Sequence, residues 1–156
     1  MKPIENVGDY PRPPALERFT GSLSITFGGV VICQSKNAWR VLETYHPPTY
    51  YIPPNDFGHD VLKPAPGNSM CEWKGQAKYF DIAVDSHRAQ RAAWAYPTPT
   101  KRFEQIAGFV AVYAEPMDAC YVAGEKVQAQ PGNFYGGWVN SWITGPIKGR
   151  PGTLGW

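Results

Sequence analysis

Ser22-Leu23-Ser24-Ile25-Thr26-Phe27-Gly28-Gly29-Val30-Val31-Ile32-Cys33 is the stretch that decides how this chain is read. Leu23, Ile25 and Phe27 fall on one side of an extended strand and Ser22, Ser24 and Thr26 on the other, the period of two that a half-buried strand needs. Gly28-Gly29 supplies the positive φ angles of a tight hairpin turn, and Val30 to Cys33 returns as the second strand. A hairpin written this plainly makes antiparallel sheet the working assumption for the rest.

On the N-terminal side, residues 1–18 read as an extended arm, because Pro3, Pro11, Pro13 and Pro14 deny it a helix or a central strand. Residues 19–156 read as a single β-rich domain, punctuated by 16 Pro and 16 Gly. Trp39 to Thr44 and Tyr50-Tyr51-Ile52 are further strands, the latter stopped by Pro53-Pro54. Trp73 to Val84 alternates Ala77, Tyr79, Asp81 and Ala83 against Lys78, Phe80, Ile82 and Val84. Asp85-Ser86-His87-Arg88 turns it back into Ala92 to Tyr96. One helix is expected, capped by Thr98, opened by Pro99 and stopped by Gly108, with Phe103, Ile106 and Ala107 facing a sheet. Phe109 to Ala114, Ala119 to Val122 and Lys126-Val127 complete the strands. From Gln130 the tail is glycine-rich and aromatic. The class is mainly β, bordering on α+β, with the helix packed on a sheet.

Hydrophobic residues at 43% and charged residues at 18% suit a packed core and argue against disorder. Fifteen Lys and Arg against 13 Asp and Glu, scattered along the chain, give no electrostatic footprint for nucleic acid. Cys33, Cys71 and Cys120 are odd in number and form no Cys-x-x-Cys, so a reducing compartment is expected over a disulfide framework. Met1 to Pro14 lacks the apolar stretch of a signal peptide, and no window has the length of a membrane span. The expectation is a cytoplasmic protein.

Five blocks then carry a resemblance. Leu42-Glu43-Thr44 with His46 to Asp56 is the first. Cys71 to Ala77 and Ala93 to Pro97 are the next two, and Phe134 to Trp138 and Gly145 to Gly149 end the series. In this order the first three resemble a bacterial family known as domain of unknown function 427, and the last two resemble a subgroup of it. The resemblance implies a β-tent-like fold, similar to methionine sulfoxide reductase B and the Mss4-type proteins. Relatives of that fold hold zinc through two Cys-x-x-Cys pairs. This chain has none, so neither a structural zinc nor any other cofactor is expected. The label nucleotidyltransferase sometimes attached to the family finds no support in acids separated by one residue, which do not occur here.

Glu43, Tyr51, Cys71, Lys74, Trp94 and Tyr96 lie within the matching blocks. If those blocks converge, they form a pocket with aromatic walls and a Glu/Cys/Lys polar set. Lys74 could bind an anionic group, pair with Glu43, or favour the thiolate of Cys71; Cys71, Lys74 and Glu43 are therefore the catalytic candidates. The bland reading makes Cys71 an inert buried thiol and Lys74–Glu43 a structural pair. Trp73, Trp94 and Trp138 could form a cage for a cationic or flat ligand, or could be core filler. Gly145 to Thr153, with Lys148 and Arg150, could cradle phosphate or simply fold over the domain, since Pro151 prevents the helix a phosphate loop opens. His46 reads as a turn residue beside Pro47-Pro48, and His59 and His87 lack partners at metal-ligand spacing, so no metal is expected.

Three functions remain open. The first is a domain binding an unidentified small molecule, with or without catalysis. The second is a structural or interaction module that forms a homo-oligomer through the arm or the tail. The third is a phosphoryl or nucleotidyl transferase using the C-terminal loop.

Overall fold

A computed structural model describes residues 3–71, 73–132, 135–149, 152, 153 and 156. Its strands, in chain order, are β1 (Glu5–Asn6), β2 (Ala15–Arg18), β3 (Leu23–Phe27), β4 (Val30–Ser35), β5 (Trp39–Leu42) and β6 (Thr49–Tyr51). They continue as β7 (Leu62–Cys71), β8 (Gly75–Val84), β9 (His87–Ala95), β10 (Val110–Val112) and β11 (Ala119–Val122). Four short pieces follow: β12 (Glu125–Lys126), β13 (Gln128–Ala129), β14 (Trp138–Val139) and β15 (Ile143–Thr144). Among the described residues the architecture is mainly β, its larger sheets antiparallel, its helical segments short 3₁₀ turns of which Lys101–Ile106 is the longest, and no sheet closes into a barrel. No helix among the described residues is long and apolar enough to cross a membrane.

The hairpin of β3 and β4 forms as its alternation requires. Leu23, Ile25 and Phe27 are buried, and Gly28 and Gly29 take φ of 61° and 76° at the turn. Together with β11 and β12 it makes a four-stranded sheet in the order β12-β11-β3-β4. A second sheet runs β10-β9-β8-β7, and a third runs β2-β5-β6.

The second and third sheets meet at one residue pair. Ile52, just past β6, donates its N–H to the Val110 carbonyl at 2.8 Å and accepts the Val110 N–H at 2.8 Å. This reciprocal pair carries the hydrogen-bonded surface from β7 through β10 to β6, β5 and β2. Side chains alternate across such a surface, so Tyr50 and Tyr51 point to opposite faces. Tyr50 joins the main core, with Ile52, Val110, Val112, Ile82, Phe19 and Trp138. Tyr51 joins a second cluster on the other face, with Ala111, Trp94, Tyr79, Ala77 and Tyr96.

Several elements differ from the sequence reading. The strand Leu62–Cys71 is absent from it, because Pro64, Pro66 and Gly67 break the pattern. As the edge of its sheet, β7 needs no N–H on its open side, and the pairing with β8 shifts between Pro64 and Asn68. The expected strand from Trp73 starts at Gly75 instead, leaving Trp73 and Lys74 in the turn. The expected helix is a pair of short 3₁₀ turns over Lys101–Ile106, joined across a kink at Phe103 (φ −113°), two residues later than Thr98 and Pro99 suggest. With three residues per turn, Phe103 and Ile106 share the buried face and Ala107 falls outside it, exposed. Gly108 does end the segment, at φ 76°.

The residues read as an arm are stitched into the sheets. Ala15–Arg18 pairs with β5 as an edge strand, and β1 pairs in parallel with β15. Buried Arg40 on β5 ties both, donating to Glu17 at 2.6 Å and to Glu5 at 2.9 and 3.1 Å. Met1 and Lys2 lie outside the described residues.

If the Ile52–Val110 pair joins the sheets, its two amides should exchange only through global unfolding, with the protection of Ile82 and Ala93. Native-state hydrogen exchange reads this directly; fast exchange at the pair in an otherwise protected domain would contradict the joined surface.

Candidate functional site

Tyr51 on β6, Ala111 on β10, Trp94 on β9 and Tyr79 on β8 form a row across the joined sheets, with Trp94 opposite both Ala111 and Tyr79. The three large rings leave a hollow over the small side chain of Ala77. Above this floor lies a cavity of about 240 Å³. Glu43, Tyr51, Cys71, Lys74, Trp94 and Tyr96 all line it. The floor is locked by polar contacts: the Trp94 indole N–H donates to the Tyr51 hydroxyl at 3.3 Å, and the Tyr79 and Ser69 hydroxyls bond at 2.8 Å. Burial pushes the Tyr51 and Tyr96 phenols well above their ordinary range and Tyr113 up to about 12, so the floor is uncharged at neutral pH.

Lys74 owes its place to the β7–β8 turn. The Thr100 N–H donates to the Lys74 carbonyl at 3.0 Å, and the Thr100 hydroxyl donates to the Trp73 carbonyl at 2.7 Å. That second bond also explains why Thr100, at the start of the 3₁₀ segment, makes no side-chain cap there. Gly75 turns away at φ 108°. The ammonium comes to rest 5.7 Å from the centre of the Tyr96 ring and 5.9 Å from that of Phe103. Burial disfavours its charge, but Tyr51, Cys71 and Glu43 outweigh that and hold the ammonium protonated above its usual range. The Cys71 sulfur is a hydrogen-bonding neighbour of both Lys74 and the Tyr96 hydroxyl. Lys74 and Glu43 share the cavity without forming an ion pair. Glu43 instead meets Arg12 at 3.6 Å and the His46 Nε2 at 3.9 Å.

His46 is more than the turn residue its neighbours Pro47 and Pro48 suggest. Its Nδ1 lies 2.9 Å from the Gln130 side-chain nitrogen. The Gln130 oxygen accepts the Gly137 N–H at 3.0 Å, and its nitrogen also donates to the Lys148 carbonyl at 2.8 Å. The amide orientation is therefore fixed, and Nδ1 must accept. The imidazole proton then sits on Nε2, on the Glu43 side. Burial first, then the nearby Lys148, Arg12 and Lys74 charges, lower the His46 pKa to about 4.

The C-terminal segment closes one side of the cavity. Tyr135 packs its ring against His46 at 4.8 Å, and Lys148 places its ammonium 5.3 Å from the Tyr135 ring centre. Gly136 lies directly on the Trp94 indole, where any Cβ would collide. Gln130, Tyr135, Gly136 and Lys148 all line the cavity, and residue-type patterns in the sequence point to none of them as a group. Gln130 reaches His46 across 84 positions, a pairing no local signal announces.

The other constellations come out differently. Trp73 and Trp94 border the cavity, but Trp138 is buried in the main core, stacked near Tyr50 and donating to the Val112 carbonyl at 2.9 Å. The three tryptophans form no cage, because Trp138 lies on the opposite face of the sheet. In the C-terminal loop the Thr153 hydroxyl accepts the Gly149 N–H at 2.9 Å, and Arg150 and Pro151 lie outside the described residues, as do Glu72 and Phe134. The described residues include no group of three His, Cys, Asp or Glu side chains placed to hold a metal ion.

The chain belongs to the family described as a domain of unknown function (DUF427), whose model matches residues 15–123. That span contains all six candidate residues and His46, while Gln130, Tyr135 and Lys148 follow it. No curated protein matches the chain.

A buried imidazole that stays neutral to about pH 4 has a consequence for stability. The unfolded chain takes up the proton near pH 6.5 and the folded one does not, so the contribution of His46 is intact above that pH and falls as pH drops toward 4, by on the order of 3 kcal/mol. Urea denaturation from pH 7 to 4 should show this slope, and His46→Gln should flatten it. Equal slopes in the two proteins would remove His46 from the account.

Proposed function

We propose that this domain binds a small organic molecule in the cavity over Tyr51, Trp94 and Tyr79, in a reducing cytoplasmic setting. The supporting observation is convergence: six residues drawn from separated stretches of sequence border one hollow, with aromatic walls and a few polar groups at one end. Ligand sites have that makeup. A buried ammonium and a carboxylate on one cavity would be poor choices for a filled interior, where apolar side chains pack at lower cost. Any reaction would draw on Cys71, Lys74 and Glu43, with His46 neutral beside them.

A purely structural module calls for a solid interior at this position, so the open volume favours binding. A phosphoryl-transfer reading gains little from the C-terminal loop: the Thr153 hydroxyl and the Lys148 carbonyl are both engaged within the chain.

The reading is tested by mapping fragment binding through amide chemical shifts. Hits should perturb Trp94, Tyr51 and Lys74 together. Ala77→Leu, which fills the hollow from below at a cost of about 1–3 kcal/mol, should leave the domain folded and abolish those shifts. Hits that persist in the filled variant, or gather elsewhere, would refute the assignment.

A further inference from the structure

The charges around the cavity are unbalanced. Lys74 is only 9% exposed, yet among the described residues no carboxylate stands within ion-pair distance of its ammonium. Its immediate surroundings are two phenols, a thiol and two rings, which moderate a buried charge without neutralising it. Lys148 lines the same cavity from the C-terminal segment. Among the described residues the carboxylate on the lining is Glu43, already engaged by Arg12. Two lysines of the described lining thus stand against one carboxylate that Arg12 already meets, around a partly enclosed space.

Hydrogen-bonding capacity leans the same way. The Lys74 ammonium brings several N–H groups, and His46, whose Nδ1 is taken by Gln130, has only its Nε2–H left to offer. Such a set calls for an acceptor with negative charge. The rest of the wall is ring surface: Trp94 lies against Tyr113 at 4.5 Å and against Tyr51 at 6.5 Å. At about 240 Å³ the space falls below the roughly 300–1,000 Å³ of sites that enclose drug-sized ligands.

We propose that the ligand is a small, flat organic acid, its anionic group at the Lys74 ammonium and its unsaturated body against Trp94 and Tyr51. This rests on the binding reading above and narrows it. A carboxylate and a phosphate monoester offer the same chemistry to Lys74, and the test separates them.

Amide-shift titrations with benzoate, phenyl phosphate, benzamide and benzylamine, at matched ionic strength, compare probes of similar shape and different charge. Benzoate or phenyl phosphate should shift Lys74 and Trp94, about tenfold or more tighter than benzamide, with benzylamine weakest. Whichever acid binds better names the anionic group. Lys74→Met should bring benzoate and phenyl phosphate down to the level of benzamide, removing the preference for the acid; Lys148→Met should reduce the preference less. Should Lys74→Met fail to fold, the probe comparison on the unaltered protein decides alone. Benzamide binding as tightly as benzoate would overturn the acid assignment while leaving the pocket standing. Failure of every probe to shift cavity residues would overturn both.

Discussion

Two hydrogen bonds between Ile52 and Val110 hold the central arrangement of this domain. Each is an ordinary backbone bond, contributing on the order of 1 kcal/mol. Their weight comes from register. They align the end of β6 with β10, and through β10 with β9 and β8, so Tyr51, Ala111, Trp94 and Tyr79 fall on one face. A slip of one residue would send Tyr50 to that face and Tyr51 into the main core. The burial of Tyr50 against Phe19 and Trp138 opposes such a slip from the other side. One register thus serves both a dry core and the cavity behind it.

The polar end of the cavity depends on groups far from that pair. Thr100 pins the turn carrying Lys74, and Gln130 orients His46. The Gln130 bonds form a largely buried polar network, the setting in which hydrogen bonds rigidify a site, whereas the Thr100 bond to Trp73 lies at the surface. The C-terminal segment is held down by Gly136 and Gly137, whose lack of a Cβ admits the Trp94 indole and the Pro47 carbonyl. The segment therefore supplies part of the cavity wall, although it follows the span the family model matches. The residues that the family model matches build the floor and the Lys74 turn, and the closing wall comes from residues beyond that span.

Much of this can be read from the chain, for identifiable reasons. The β3–β4 hairpin is legible because strict alternation and Gly28-Gly29 act locally. The helix is legible as a feature but not in type, since its two buried residues three apart suit a 3₁₀ turn as well as an α-helix. Strand β7 is hidden by prolines that only an edge position tolerates. Among the site residues, the six in the blocks of resemblance can be singled out together; their approach is a matter of sheet order, which periodicity does not encode. His46 lies in the first of those blocks but reads as a turn residue beside Pro47-Pro48, and Gln130 looks ordinary beside its neighbours in sequence. Trp138 misleads for the converse reason: tryptophans look alike in sequence, and strand parity assigns this one to the core.

The most direct measurement is a crystal structure of the protein soaked with a small aromatic carboxylate. Ring density is expected against Trp94, with the carboxylate oxygens within hydrogen-bond reach of the Lys74 nitrogen. A cavity filled by the protein's own side chains, or Lys74 turned out to pair with a carboxylate of the chain, would contradict it.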